Sequence, residues 1–329
     1  MKATANETAF TDVEIKRYAE LRSKKESATV NRNIRCDGID WARLTAKMET
    51  ARERVLKKRL EVLADVPAQT EPIFLISYGA PGSGKSACVD NVFKRLRPPS
   101  GVAPQNIVQA NVDDIVAELD TGRTISVDAE NYSVFRPTAD NVAGRLLYVG
   151  MERGVHLNLE TTGNSVDVQW FTTQFENART QHRYLIALAY PLVAIPTLVA
   201  RVQQRAAASS TSSSKRRPDD DAVVNAARNA ARNVALLMAL VDKLLIYDNS
   251  GDVASGACQT EILVCDRQSC VVNCEWLTSP SMSTEEAHEK CIHNTLARVL
   301  EKIKERFGVS LSLDEKHTTT LKSIVTTTV

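Results

Sequence analysis

Only 5% of the 329 residues are aromatic, and the net charge at pH 7 is +1. Few aromatics leave no base-stacking platform in view, and near-neutrality gives no global pull toward nucleic acid or anionic membrane. No apolar signal-peptide core accompanies Lys2, Glu7 and Asp12 at the N-terminus. The most apolar run, Tyr184–Ala200, is short for a membrane span and is broken by Pro191 and Pro196. It reads as a buried strand running into a helix. The seven cysteines include no CxxC knuckle, so the cluster Cys258, Cys265, Cys270 and Cys274 does not read as a zinc site. Their apolar neighbours Ile262, Val264, Val271 and Val272 point to buried hairpin cysteines. Reduced thiols are the simpler reading. The expectation is a cytoplasmic protein with no membrane segment and no nucleic-acid partner.

What is present is ordinary for a globular chain, with 43% hydrophobic and 25% charged residues. That length suits one large α/β domain with extensions, or two domains at most. Residues 1–70 repeat apolar side chains at helical spacing (Leu44, Met48, Val55, Leu56, Leu60 and Leu63), and Pro67 and Pro72 close the region. Strands are predicted at Ile73–Tyr78, Asn106–Ala110, Val155–Leu159, Tyr184–Ala189 and Leu244–Tyr247. Helices are predicted at Ser86–Leu96, Asn141–Glu152, Val166–Thr180 and Asp221–Lys243. This alternation implies a parallel sheet with helices on both faces. Beyond Gly251, Glu261–Cys265 and Cys270–Cys274 suggest a hairpin and Thr284–Phe307 a helix.

Gly79, Ala80, Pro81, Gly82, Ser83, Gly84, Lys85 and Ser86 match GxxxxGK[ST] in full, after an apolar strand and before a helix. Together with Ala87 they are the expected nucleotide site. The glycines let successive N–H groups turn toward one anion, and the helix N-terminus adds partial positive charge. Lys85, expected to be exposed, reaches the β- and γ-phosphates, and the Ser86 hydroxyl ligates Mg²⁺. The nucleotide is expected to be ATP. The fold class is therefore α/β of P-loop NTPase type, with a mainly parallel five-stranded sheet flanked by helices. Helical extensions are expected at 1–70 and 256–329, around a domain at 71–255.

Asp113 and Asp114 end the second strand, on the carboxyl edge where ligands bind in such sheets. A carboxylate there accepts the proton of an incoming hydroxyl or holds Mg²⁺ through water; alternatively it caps the next helix. Asp113 is assigned to chemistry and Asp114 to the cap. Glu160, after the third strand, suits Mg²⁺ or a substrate hydroxyl, with capping as the alternative. Arg201 and Arg205 share a helix face. Ala206–Ser214 has linker composition and leads to Lys215, Arg216 and Arg217, so 201–220 reads either as a cationic lid or as a surface insertion.

The order of these segments (P-loop, NVDD, ETTGN, RVxxR, a basic stretch, IYDNSG) resembles the zeta toxin kinases over roughly residues 72–255. Members of that family phosphorylate the 3′-hydroxyl of UDP-N-acetylglucosamine with ATP and Mg²⁺. The resemblance implies Lys85 as phosphate clamp, Asp113 as base, and Arg201 with Arg216 or Arg217 in a lid. It places Glu160, Thr162 and Thr172 against the sugar nucleotide. Two positions depart from the family pattern: Gly144 stands where a substrate-binding Glu is expected, and Asn164 where an Arg is expected. Both concern the acceptor, a small-molecule hydroxyl. An antitoxin-like protein partner stays open, as do a regulatory ATPase module and a polynucleotide or nucleoside kinase.

Overall fold

The computed structural model describes residues 10–27, 41–96, 104–119, 129–208, 218–251, 260–266, 270–272, 295–307 and 309–310. Its first half runs α1 (Asp12–Ser27), α2 (Trp41–Ala64), β1 (Ile73–Tyr78), α3 (Lys85–Leu96), β2 (Ile107–Asn111), α4 (Val112–Leu119) and α5 (Ala129–Glu152). Its second half runs β3 (His156–Thr161), α6 (Val168–His182), β4 (Leu185–Leu192), α7 (Ile195–Ala208), α8 (Asp220–Met238), β5 (Lys243–Asp248), β6 (Thr260–Asp266), β7 (Cys270–Val272) and α9 (Thr295–Phe307).

The strands form one sheet in the order β2-β3-β1-β4-β5-β6-β7. The first five are parallel, as expected. The hairpin β6–β7 adds to them antiparallel, through β5. It therefore extends the sheet, and it covers the edge that β5 would otherwise present. All six residues of β1 are buried, as a strand with helices on both faces requires. Alternation sorts them. Ile73 and Leu75 pack with Cys88, Val89, Val92 and Phe93 of α3. On the other face Phe74 meets Phe175 of α6 edge-to-face at 5.7 Å, and the Tyr78 hydroxyl donates to the Ala230 carbonyl of α8 at 2.8 Å. Each such side chain contributes about 1.5–3 kcal/mol relative to exposure.

The chain order reverses at β1, because β2 lies to one side beyond β3 while β4 lies on the other. Crevices at the carboxyl ends of strands form at such a switch point. There the turn after β1 emerges.

The chain divides into two compact units, one of residues 1–66, 110–150 and 203–218, the other of 67–109, 151–202 and 219–329. The first unit joins the N-terminal helices with α4 and most of α5. Within the first unit Arg59 of α2 pairs with Glu118 of α4 at 2.9 Å, and Phe10 meets Phe135 of α5 edge-to-face at 5.5 Å. A capping box opens α1: Thr11 N–H donates to Glu14 Oε2 at 2.9 Å, and Glu14 N–H donates to Thr11 Oγ1 at 3.2 Å. Leu44, Met48, Val55 and Leu63 are buried as their spacing predicts. The helix expected from Asn141 begins at Ala129 and runs through Pro137. No helix among the described residues is long and apolar enough to cross a membrane.

Candidate functional site

The turn from β1 into α3 depends on its glycines. Gly79, Gly82 and Gly84 have φ of 136°, 82° and 81°, a region L side chains rarely adopt. A Cβ on Gly82 would come within 2.9 Å of the Leu198 carbonyl, and one on Gly84 would fall on Asn249 Nδ2. Ala80 packs against Leu198 and Val202 of α7 and Val223 and Ala227 of α8, which fixes the turn from the side. The first N–H groups of a helix lack intrahelical partners, so the start of α3 can present donors to an anion. Ser83 Oγ is buried with no hydrogen-bond partner among the described residues, a polar atom at hand for a phosphate oxygen.

Glu160 converges on this turn through sheet register. It pairs with Ser77 of β1 across the β1–β3 ladder. Side-chain alternation puts Asn158 and Glu160 on the α3 face, and Ser77 Oγ accordingly donates to Asn158 Oδ1 at 2.7 Å. Ser86 Oγ donates to Glu160 Oε2 at 2.9 Å. Lys85 Nζ lies 3.7 Å from Glu160 Oε1 and donates to the Ala80 carbonyl at 3.2 Å. Lys85 is only 7% exposed, which corrects the expectation of an exposed lysine. Its stem is packed at the start of α3 and its charge is balanced by Glu160. One turn on, burial pushes the Cys88 thiol up to about 12, against the pull of the Lys85 charge.

A hydroxyl and a carboxylate this close form a hard-oxygen pair suited to Mg²⁺. No group of three or more His, Cys, Asp or Glu that could hold a metal occurs among the described residues. A divalent ion at Ser86 and Glu160 would complete its shell with phosphate oxygens and water, as Mg²⁺ usually does.

The turn after β5 braces the P-loop from a second direction. Asn249 Nδ2 donates to the Ser83 carbonyl at 2.7 Å, and its own N–H donates to the Leu192 carbonyl at 2.9 Å. Arg201 Nη2 donates to the carbonyls of Asn249, at 2.9 Å, and Gly251, while Nη1 reaches the Gly82 carbonyl at 3.4 Å. The guanidinium expected to surround a phosphoryl group is thus anchored to the main chain of the P-loop and of the β5 turn. In the sequence Asn249 is one residue of the IYDNSG segment, with no role of its own marked. A polar side chain directly after a strand, on the ligand edge, was the available signal. Arg216 and Arg217 lie outside the described residues, as do residues 209–217 of the expected lid.

The loop after β3 carries two of the expected acceptor residues, Thr162 and Asn164, while Glu160 lies in β3 and Thr172 in α6. Gly163, with φ of 68°, sits beneath the Tyr78 ring. Asn233 Nδ2 donates to its carbonyl at 3.0 Å, and Asn229 Nδ2 donates to Asn164 Oδ1 at 2.7 Å. Thr162 is half-buried on this loop, while Thr172 Oγ1 donates back to the Val168 carbonyl at 2.8 Å. Gly144 is mid-helix in α5, with open space where a Cβ would stand.

Asp113 belongs to the first unit. The cap of α4 is Asn111, not Asp114: Asn111 Oδ1 accepts from the N–H groups of Asp113 at 2.9 Å and Asp114 at 3.4 Å. These are the second and third residues of the helix, the donors an N-cap side chain satisfies. Both aspartates are exposed. Asp113 Oδ1 accepts a 2.6 Å hydrogen bond from the Tyr132 hydroxyl, and Arg136 Nη1 donates to that same hydroxyl at 2.9 Å.

Among known proteins, the family model described as zeta toxin matches residues 56–255. No curated protein sequence matches the chain. The chain is similar to a structure from the PezAT chromosomal toxin–antitoxin system of Streptococcus pneumoniae, at 15% identity and a TM-score of 0.48, over 79% of this chain and 96% of that one. It is also similar to AvrRxo1-ORF1:AvrRxo1-ORF2 with sulphate ions, at 11% identity and a TM-score of 0.46, over 89% and 92% of the two chains. The same AvrRxo1 pair solved with ATP matches at 12% identity and a TM-score of 0.42, over 84% and 82%.

Proposed function

Because the chain belongs to the zeta toxin family, we propose that it transfers the γ-phosphate of ATP to a hydroxyl group of a small molecule. The observation that carries this reading is the P-loop itself, three glycines at positive φ leading into a helix whose first two residues, Lys85 and Ser86, meet Glu160. Main-chain N–H groups of Gly82–Ser86 cradle the phosphates, and Lys85 neutralises the charge that grows on them. Ser86, backed by Glu160, would hold Mg²⁺, which when bound offsets phosphate charge. Asp113 accepts the proton of the acceptor hydroxyl. The acceptor oxygen bonds to the γ-phosphorus, the bond from that phosphorus to the bridging oxygen breaks, and ADP leaves with the electron pair. Arg201 stabilises the P-loop from the side, and Arg216 supplies lid charge.

The acceptor of this proposal is UDP-N-acetylglucosamine or another nucleotide sugar, bound along Glu160, Thr162, Asn164 and Thr172. Gly144 and Asn164 each lack a charged contact of the family pattern. A charge-assisted hydrogen bond contributes roughly 1.5–3 kcal/mol, so either loss weakens acceptor binding by about tenfold to a hundredfold. The test is labelled ATP offered with UDP-N-acetylglucosamine, other UDP-sugars, nucleosides and short oligonucleotides. Label on a small-molecule hydroxyl supports the reading, and saturation kinetics then rank the acceptors. Label found only as free phosphate would mean a hydrolysing module and overturn it.

A further inference from the structure

We propose that Tyr132, itself held by Arg136, is the positioning residue that aims the Asp113 carboxylate at the acceptor hydroxyl. This rests on the reading of Asp113 as the base. The Tyr132 hydroxyl has one proton to donate, and that proton lies on Asp113 Oδ1 at 2.6 Å. Its lone pair accepts from Arg136 Nη1 at 2.9 Å, and Arg136 Nε donates to Asp140 Oδ1 at 2.8 Å. The guanidinium also lies 5.7 Å from the centre of the Tyr132 ring. The order of donors is therefore unambiguous: Arg136 to Tyr132 to Asp113. A hydroxyl that accepts from a cation is a stronger donor, since successive hydrogen bonds polarise one another.

Asp113 is an exposed carboxylate at the start of a helix. A free aspartate samples several rotamers, and a bond to Oδ1 selects one of them, leaving Oδ2 to receive the proton. The charged groups of this network are Arg136 and Asp140 on α5 and Asp114 beside Asp113 on α4. Tyr132 is buried. Its ring gives the hydroxyl a fixed origin, which a lysine or a water would not.

The experiment is a pair of double-variant cycles on the full chain, using Tyr132→Phe, Arg136→Met and Asp113→Asn. Phenylalanine keeps the buried ring and its contact with Arg136 while removing only the hydroxyl. Tyr132→Phe is expected to lower kcat by about tenfold or more, the scale of one hydrogen bond to a charged group, with KM for ATP within about twofold. Arg136→Met is expected to act in the same direction, with the Tyr132→Phe/Arg136→Met double variant no worse than Tyr132→Phe alone. In the Asp113→Asn background, Tyr132→Phe is expected to change nothing. Wild-type kcat in Tyr132→Phe would overturn the proposal, and so would an equal loss in the Asp113→Asn background, which would make the tyrosine act elsewhere. If Asp113→Asn alone keeps normal turnover, it is the assignment of the base that fails, and the positioning role falls with it.

Discussion

Replacing Asn249 by alanine removes one buried hydrogen bond, from Nδ2 to the Ser83 carbonyl at 2.7 Å, and leaves the rest of the β5 turn in place. The contacts to Leu192 and from Arg201 use main-chain atoms of residue 249, so alanine retains them. The Ser83 carbonyl is then buried without its partner, which costs about 1–3 kcal/mol. The lost amide also opens the space beside Gly84 that holds this glycine in its positive-φ turn. If the whole of that free energy serves to order the P-loop for phosphate, ATP binding weakens by roughly fivefold to a hundredfold. Thermal unfolding and steady-state kinetics on the same preparation check this. Tm is expected to drop by a few degrees and KM for ATP to rise, with kcat at saturating ATP little changed. A drop in Tm with unchanged KM would refute the reasoning, since Asn249 would then support the fold without shaping the P-loop.

Lys85→Met keeps the buried stem and removes only the charge, so turnover should fall by about a hundredfold or more while circular dichroism and Tm stay near wild type; near-normal turnover would mean the P-loop lysine is not used. Asp113→Asn should cut turnover by about a hundredfold, and Asp114→Asn should do little because Asn111 already caps α4; steady-state rates in the opposite order would exchange their roles. Gly163→Ala forces a side chain into positive φ against the Tyr78 ring and should destabilise by more than about 1 kcal/mol in urea melts, an unchanged midpoint counting against a fixed acceptor loop. Burial pushes the Glu14 carboxyl up, but Lys47 and the Thr11 N–H and hydroxyl outweigh it and hold the group below the ordinary carboxylate value. The folded pKa is thus the lower one, so this stability is present above the unfolded value of about 4.3 and is lost as pH falls through the folded value. Glu14→Gln should flatten that acid loss in melts, and parallel curves for the two proteins would rule the pairing out as its source.

The P-loop was legible in the sequence because everything that makes it is local. An apolar run, three glycines and a helix start occupy consecutive positions, and each acts on its neighbours within a turn. The same holds for the five strands of the parallel sheet and for the hairpin at Glu261–Cys265, where short apolar segments announce themselves by composition. Locality also explains the errors. Asn111, Asp113 and Asp114 are all acceptable caps within three residues, and only the backbone geometry selects Asn111. The helix expected only from Asn141 begins at Ala129 and runs through Pro137, so it also carries Tyr132.

What the tertiary structure decided is which distant groups meet. Glu160 was visible as a strand-end acid, yet its place against Ser86 follows from a β1–β3 register that no local pattern encodes. Asn249 reaches Ser83 across 166 residues, and Arg201 reaches Gly82 across 119. A sheet with its crossovers brings such positions to one edge, and burial then makes their hydrogen bonds worth keeping, because an unpaired polar group there costs more than the same group in water.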